Sequence, residues 1–325
     1  MQVKLLLLLS LSTLLLAKYT NCNFKNPDYT DICKKVVKQG VSYRYANQFL
    51  LSYLKTQKFD EISWKYLQPN KIEYHRRQEK KANNVLASYV PKMVANLKKY
   101  KDAYNYAEKR YSVNREIIAA ILLKETKLGK ISPIHDAFKV FNTIVVRTNA
   151  KTDRERWLLK MGKSNMAAII TYCYKKRVYP EMCTLPSSYA GAVGIPQFMP
   201  NSFIYAKAYK GKLADLTKME DAIVSVANFL HKKANYKKLI DWNTMPDILK
   251  IEQEWYNYAF TYKNASFAYE NDKRYRCFTK GRVELQTLKE YVLKIMRYNN
   301  SSNYSVGVIS LAYQAHKALK NTTKK

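Results

Sequence analysis

Apolar residues recur at three- and four-residue intervals along most of the chain, the spacing of helices with one buried face. The pattern predicts helices over residues 34–56, 83–109, 114–127, 154–176, 220–236 and 284–296. Alternating apolar and polar positions, the mark of a half-buried strand, are scarce. "WYNYAFTY" (Trp255–Tyr262) is one candidate, and "RVELQTLKEY" could begin as another. Residues 263–280 are polar and irregular and read as a loop or insertion; the chain after Lys317 reads as a frayed tail. No internal repeat is visible. The fold class is therefore mainly α with few strands.

The N-terminus departs from this pattern. Met1–Ala17 carries one lysine, Lys4, and then a nearly unbroken apolar run from Leu5 to Leu16. A charged start, a short apolar stretch and a small residue at its end describe an export signal over residues 1–21, cleaved for instance after Ala17. The run falls short of the roughly 20 apolar residues of a membrane span, so retention as an N-terminal anchor is the competing reading. Cys22 suggests lipid attachment, although Tyr19, Thr20 and Asn21 make a poor lipobox. The remainder, 22–320, is long enough for one large or two modest domains, with 321–325 as a tail. Export places the protein in a periplasm or cell envelope.

Five cysteines change the picture further: Cys22, Cys33, Cys173, Cys183 and Cys277. Export permits disulfides. Cys173 and Cys183 can close a short loop around Pro180, Cys22 and Cys33 form a second candidate pair, and the odd count leaves a thiol over. No CxxC occurs and the four histidines lack ligand spacing, so neither a zinc site nor any other cofactor is expected. The formal charge is +32. Its lysines are spread through the chain and form no basic arm, which speaks against nucleic acid, as does the export signal. Attraction to an anionic polymer, membrane or envelope surface is the simpler meaning; compositional drift toward lysine is the alternative. A monomer is expected.

One helix carries a carboxylate at an apolar position. In "NREIIAAILLKETKLGK", Asn114 can cap the start and Gly129 can stop the end. Ile117, Ile118, Ile121 and Leu122 make one face, and continuing it by four or seven residues reaches Glu125. The helix C-terminus and apolar neighbours both oppose negative charge, which would hold this carboxyl protonated, as a general acid requires. A glutamate that bends to solvent, or pairs with Lys124 or Lys127, is the structural alternative.

A second stretch, "SSYAGAVGIPQFMPNSF" (187–203), holds two of only 8 glycines, Gly191 and Gly194, together with Pro196 and Pro200. Glycines stand where a backbone turns tightly or approaches a ligand. Ser188 and Gln197 offer neutral hydrogen bonds; Tyr189 and Phe198 offer ring faces on which a sugar can lie. The structural alternative is an interhelical turn in which Gln197 satisfies backbone groups.

"AAILLKETKLGK", "SSYAGAVGIPQFMPNSF", "DAIVSVANFL" (221–230) and "RYNNSSNYSVGV" (297–308) occur in the order seen in the membrane-bound lytic murein transglycosylases of the B type, which the chain resembles from Gly40 to Gln314. The resemblance implies a lysozyme-like helical core with a small additional subdomain. It also implies cleavage of peptidoglycan between N-acetylmuramic acid and N-acetylglucosamine, leaving 1,6-anhydro ends without consuming water. Peptidoglycan strands would be the partner. Glu125 corresponds to the catalytic acid and base; Ser188, Gln197, Tyr298, Asn299 and Tyr304 correspond to residues lining the sugar subsites. Several positions depart from the family. Leu128 stands for an aromatic residue, Phe229 for a tyrosine, and the arginine segment is altered, with Arg154 and Arg156 as its nearest equivalents. The acidic calcium loop is replaced by "AYKGKLADL" (208–216), with Asp215 its only carboxylate, so no calcium is expected. Asp221 reads as a helix N-cap. With one defensible carboxylate, the mechanism needs a nucleophile from the substrate; a lysozyme-type hydrolase and a non-catalytic glycan-binding scaffold are the competing readings.

Overall fold

The computed structural model describes residues 22–56, 59–68, 71, 74, 78–245, 248–249 and 283–322. In chain order the main elements are α1 (Pro27–Lys38), α2 (Tyr43–Thr56), α3 (Glu61–Tyr66), α4 (Glu79–Ala87), α5 (Val90–Lys99), α6 (Lys101–Tyr111) and α7 (Arg115–Thr126). There follow β1 (His135–Asp136), α8 (Ala137–Arg147), α9 (Asp153–Lys175), β2 (Pro186–Ser187), α10 (Met219–Lys233), α11 (Val283–Ile295) and α12 (Ser302–Thr322). A mainly helical architecture is as the periodicity predicts. Single predicted helices divide where the backbone turns: 34–56 falls into α1 and α2 on either side of Gly40 (φ +87°), and 83–109 into α4, α5 and α6. The segment "RVELQTLKEY" is helix, not strand, from Val283 onward. The final helix continues past Lys317 to Thr322. The strand candidate Trp255–Tyr262, the segment 263–280, the leader before Cys22 and Cys277 lie outside the described residues.

The described chain forms two compact units, and each crosses the sequence more than once. The first comprises residues up to 67, 133–193 and 198–203. Its core gathers Tyr29, Ile32 and Val36 of α1, Phe49 and Leu50 of α2, Phe138, Phe141 and Ile144 of α8, and Met166, Ile169 and Ile170 of α9. Two disulfides reinforce it, Cys22–Cys33 and Cys173–Cys183, and cross-links of this kind typically contribute about 2–4 kcal/mol. The β ribbon pairs His135 with Ser187 and Asp136 with Pro186.

Asp60 ties α3 to that ribbon. Its Oδ1 accepts from the Ser63 amide (2.8 Å) and its Oδ2 from His135 Nδ1 (2.8 Å). Burial pushes the Asp60 carboxyl upward, but the Ser63 and His135 hydrogen bonds outweigh it and hold the carboxyl below its ordinary value. A depressed carboxyl stabilises the fold above its unfolded titration range and loses that contribution as pH falls through the folded value. Asp60→Asn is therefore expected to lower the melting temperature at neutral pH and to flatten the acid side of the melting-temperature profile below about pH 4. An acid limb as steep in the variant as in the wild type would remove Asp60 from the explanation.

The second unit comprises residues 68–132, 194–197 and 204 onward. Helix α7 lies at its centre, against α12, α10, α5 and α6. Every residue from Glu116 to Leu123 is buried, so α7 is covered all round and not amphipathic with one apolar stripe. Asn114 stands at the N-cap but does not cap: its side chain bonds Ile240 N, Ile240 O and Tyr236 Oη. The first amide of α7, on Arg115, is satisfied by Glu108 Oε2 at 2.8 Å instead.

Candidate active site

Helix α7 ends in three consecutive left-handed residues, Lys127 (φ +49°), Leu128 (+60°) and Gly129 (+80°). For the first two this conformation costs roughly 1–2 kcal/mol each, so the surroundings must enforce it. Lys127 N donates to Leu123 O and Leu128 N to Leu122 O, which pairs the last carbonyls. Thr126 secures the rest: its hydroxyl accepts from Gly129 N and donates to Ile195 O, both at 3.0 Å. Glu125 is thereby held, half-buried, in the last turn beside the segment 194–197.

That segment is a built turn. Gly194 (φ +74°) and Gln197 (φ +51°) are both left-handed. Gly194 O accepts from Gln197 N (3.1 Å) and from Gln197 Nε2 (2.9 Å), and Ile195 N donates to Leu216 O (2.8 Å). Pro196 O accepts from the Tyr298 hydroxyl. Burial raises the Tyr298 phenol well above its ordinary value, and the charge of nearby Glu125 raises it further. Its ring meets Phe229 edge-on, centroids 4.9 Å apart. The buried Tyr304 hydroxyl donates to Glu125 Oε1 at 2.6 Å. Glu125, Gln197, Tyr298 and Tyr304 are thus brought to one turn of the second unit, whereas Asn299 is exposed after α11.

Ser188 belongs to the first unit, in a loop of its own making. Its amide and hydroxyl face Ala192: N donates to Ala192 O (2.9 Å) and Oγ accepts from Ala192 N (3.2 Å). A hydroxyl that accepts keeps its proton to donate. Gly191 (φ +81°) closes that loop, and a Cβ there would overlap the Phe141 ring. Phe198 does not offer a ring face, being 2% exposed; Tyr189 is half-buried and lies alongside Tyr66 with centroids 5.3 Å apart. Arg154 and Arg156 both reach backbone carbonyls, of Leu67 and Lys151.

Three side chains whose role the sequence does not reveal organise residues 205–215. Asp221, Ser225 and Asn228 are buried on α10 at helical spacing. Asn228 Nδ2 donates to Tyr205 O, Ser225 Oγ accepts from Lys207 N, and the Asp221 carboxylate accepts from Tyr209 N (2.8 Å) and Asp215 N (2.7 Å). Asp221 is therefore a loop clasp and not the N-cap, a position held by Lys218. Asp215 is committed to Thr217. Two N–H donors aimed at the central carboxylate are the wrong environment for calcium, which wants six or more oxygens. Among the described residues no group of three or more His, Cys, Asp or Glu could hold a metal. Chelator should leave the melting temperature unchanged, while Asp221→Ala should cost roughly 1–3 kcal/mol by orphaning both amides. Destabilisation by chelator that calcium reverses would contradict this assignment.

Residues 25–313 match the family described as the transglycosylase SLT domain. The chain belongs to that family. No curated protein sequence matches this transglycosylase-family chain. Among solved structures its fold is similar to the Escherichia coli lytic transglycosylase Slt35 in complex with bulgecin A, with 20% identity, a TM-score of 0.54, and coverage of 90% of this chain and 94% of that one. Slt35 in complex with calcium aligns with 20% identity, a TM-score of 0.53 and the same coverage. Pseudomonas aeruginosa SltB3 in complex with NAG-anhNAM-pentapeptide aligns with 16% identity and a TM-score of 0.53, covering 87% of this chain and 77% of that one. The transglycosylase family accounts for the mainly helical fold.

Proposed function

We propose that the protein is a peptidoglycan lytic transglycosylase in which Glu125 is both acid and base. The observation that carries this reading is Glu125, half-buried in the last turn of a helix buried from Glu116 to Leu123, with the Tyr304 hydroxyl on Oε1. Glu125 first protonates the glycosidic oxygen between N-acetylmuramic acid and N-acetylglucosamine. As that bond breaks, the muramyl N-acetyl oxygen stabilises C1. The carboxylate then takes the proton of the C6 hydroxyl as its oxygen bonds C1, closing the 1,6-anhydro ring and restoring the acid. Gln197 and the Ser188 hydroxyl are the neutral groups assigned to sugar binding, with Tyr298, Tyr304 and Asn299 completing the set. Tyr298 and Tyr304 act from behind, one on the turn and one on the carboxyl.

Export to the periplasm or envelope is part of the same proposal. It is supported by the leader pattern, by two disulfides suited to an oxidising compartment, and by a charge of +32 suited to anionic envelope surfaces. Cys22 spends its thiol on Cys33, which argues against a lipid there. No described helix is long and apolar enough to cross a membrane. Mass spectrometry of peptidoglycan digested by residues 22–325 tests the reaction. Anhydro-muramyl ends are expected; reducing ends would indicate a hydrolase, and no release a binding scaffold.

A further inference from the structure

Lys124, beside Glu125 in sequence, is drawn into the site by two independent contacts. Its ammonium lies 4.8 Å from the centre of the Tyr304 ring. The same ammonium donates to Asn83 Oδ1. Asn83 is itself buried and fixed: its Nδ2 donates to Asn303 O at 3.0 Å, and it packs so closely on Gly307 that any Cβ there would overlap it. Helix α4 thus fixes Asn83, Asn83 fixes the Lys124 head group, and the head group covers the ring whose hydroxyl holds Glu125 Oε1.

We propose that Lys124 is a positioning residue for the reaction, acting on Glu125 through Tyr304. A cation over an aromatic face is attracted to the ring's negative quadrupole. It draws electron density from the phenol and makes its O–H a stronger donor, while pinning the ring against sliding along α12. A hydrogen bond from that hydroxyl stabilises the carboxylate that Glu125 becomes after protonating the leaving oxygen, and fixes which way its two oxygens face. Sequence spacing alone suggests a different role for Lys124, an ion pair with the adjacent glutamate. The geometry also puts its charge over the Tyr304 ring.

The inference rests on Glu125 being the reacting carboxyl, and the test separates the two. Lys124→Met keeps the aliphatic stem and removes the charge. On purified peptidoglycan its kcat per folded molecule should fall about tenfold, with KM within twofold, while the loss of the donor to buried Asn83 Oδ1 lowers the melting temperature. Lys124→Arg, which keeps a cation able to stack on the ring, should restore most of the loss. Tyr304→Phe removes the hydroxyl through which Lys124 acts, so adding Lys124→Met to it should lower kcat no further. Losses that multiply in the double variant, or a Lys124→Met kcat within twofold of wild type, would overturn the proposal. Failure of the parent reading would look different: wild type without anhydro products, or Glu125→Gln with full turnover. A crystal structure of Lys124→Met supplies a readout without turnover. It should show the Tyr304 hydroxyl withdrawn from Glu125, and an unmoved ring and hydroxyl would count against positioning.

Discussion

Glu125→Gln is expected to fold with an unchanged melting temperature and to release no glycan fragments above background. The amide is isosteric and its oxygen still accepts from Tyr304, so the 2.6 Å contact survives. What disappears is the transferable proton, on which both halves of the proposed reaction depend. General acid–base assistance of this kind accounts for about 10²–10⁴-fold in rate, and loss of the whole factor is expected because no second carboxylate is assigned to the sugar. Near-wild-type release of fragments by Glu125→Gln would eliminate the transglycosylase and hydrolase mechanisms together. Equal affinity of both proteins for intact glycan would then leave the binding scaffold.

Gly194→Ala should be strongly damaging at a position that bears no reacting group. Its φ of +74° disfavours any side chain, and an added Cβ would come within 2.6 Å of both Leu216 Cβ and Leu216 O. That oxygen also accepts from Ile195, so the turn cannot shift without releasing a hydrogen bond. Left-handed strain and overlap together should cost roughly 2–5 kcal/mol. Turnover per folded molecule should fall as well, because Thr126 loses its grip on Ile195 and with it the clamp on the end of α7. Gly211→Ala is the internal control. Its φ is +93° but nothing lies within 4 Å, so only the conformational strain remains. Equal shifts in denaturant midpoint for the two variants would show that the Gly194 turn is not sterically defined.

The existence of α7, α9 and α10 was legible because their apolar residues repeat at helical spacing. Helix α12 was not, since its first turns carry Ser302, Asn303, Ser305 and Gly307, small and polar residues that periodicity scores as loop. They are buried because α12 packs tightly against its neighbours, a reason that lies in the tertiary structure and not in propensity. The position of Glu125 was legible from the end of an apolar run, but a single apolar stripe is an incomplete reason, since α7 is buried on every side. Gly191 and Gly194 announced their positive φ by their rarity; Leu128 and Gln197, equally left-handed, gave no such sign. Long-range partners were the least legible. Thr126 with Ile195, Asp221 with Tyr209 and Asp215, and Lys124 with Asn83 are ordinary residues until the fold brings them together.

Glu125 and the hydroxyl that holds it are 179 residues apart in sequence. Tyr304 lies in α12, so the carboxyl acquires its partner only after that later helix has been synthesised. A nascent chain that stops short of α12 carries the glutamate without its fixture. On the proposed mechanism such a chain would be idle, and a protease that trimmed α12 would disarm the protein without touching the helix that bears the acid.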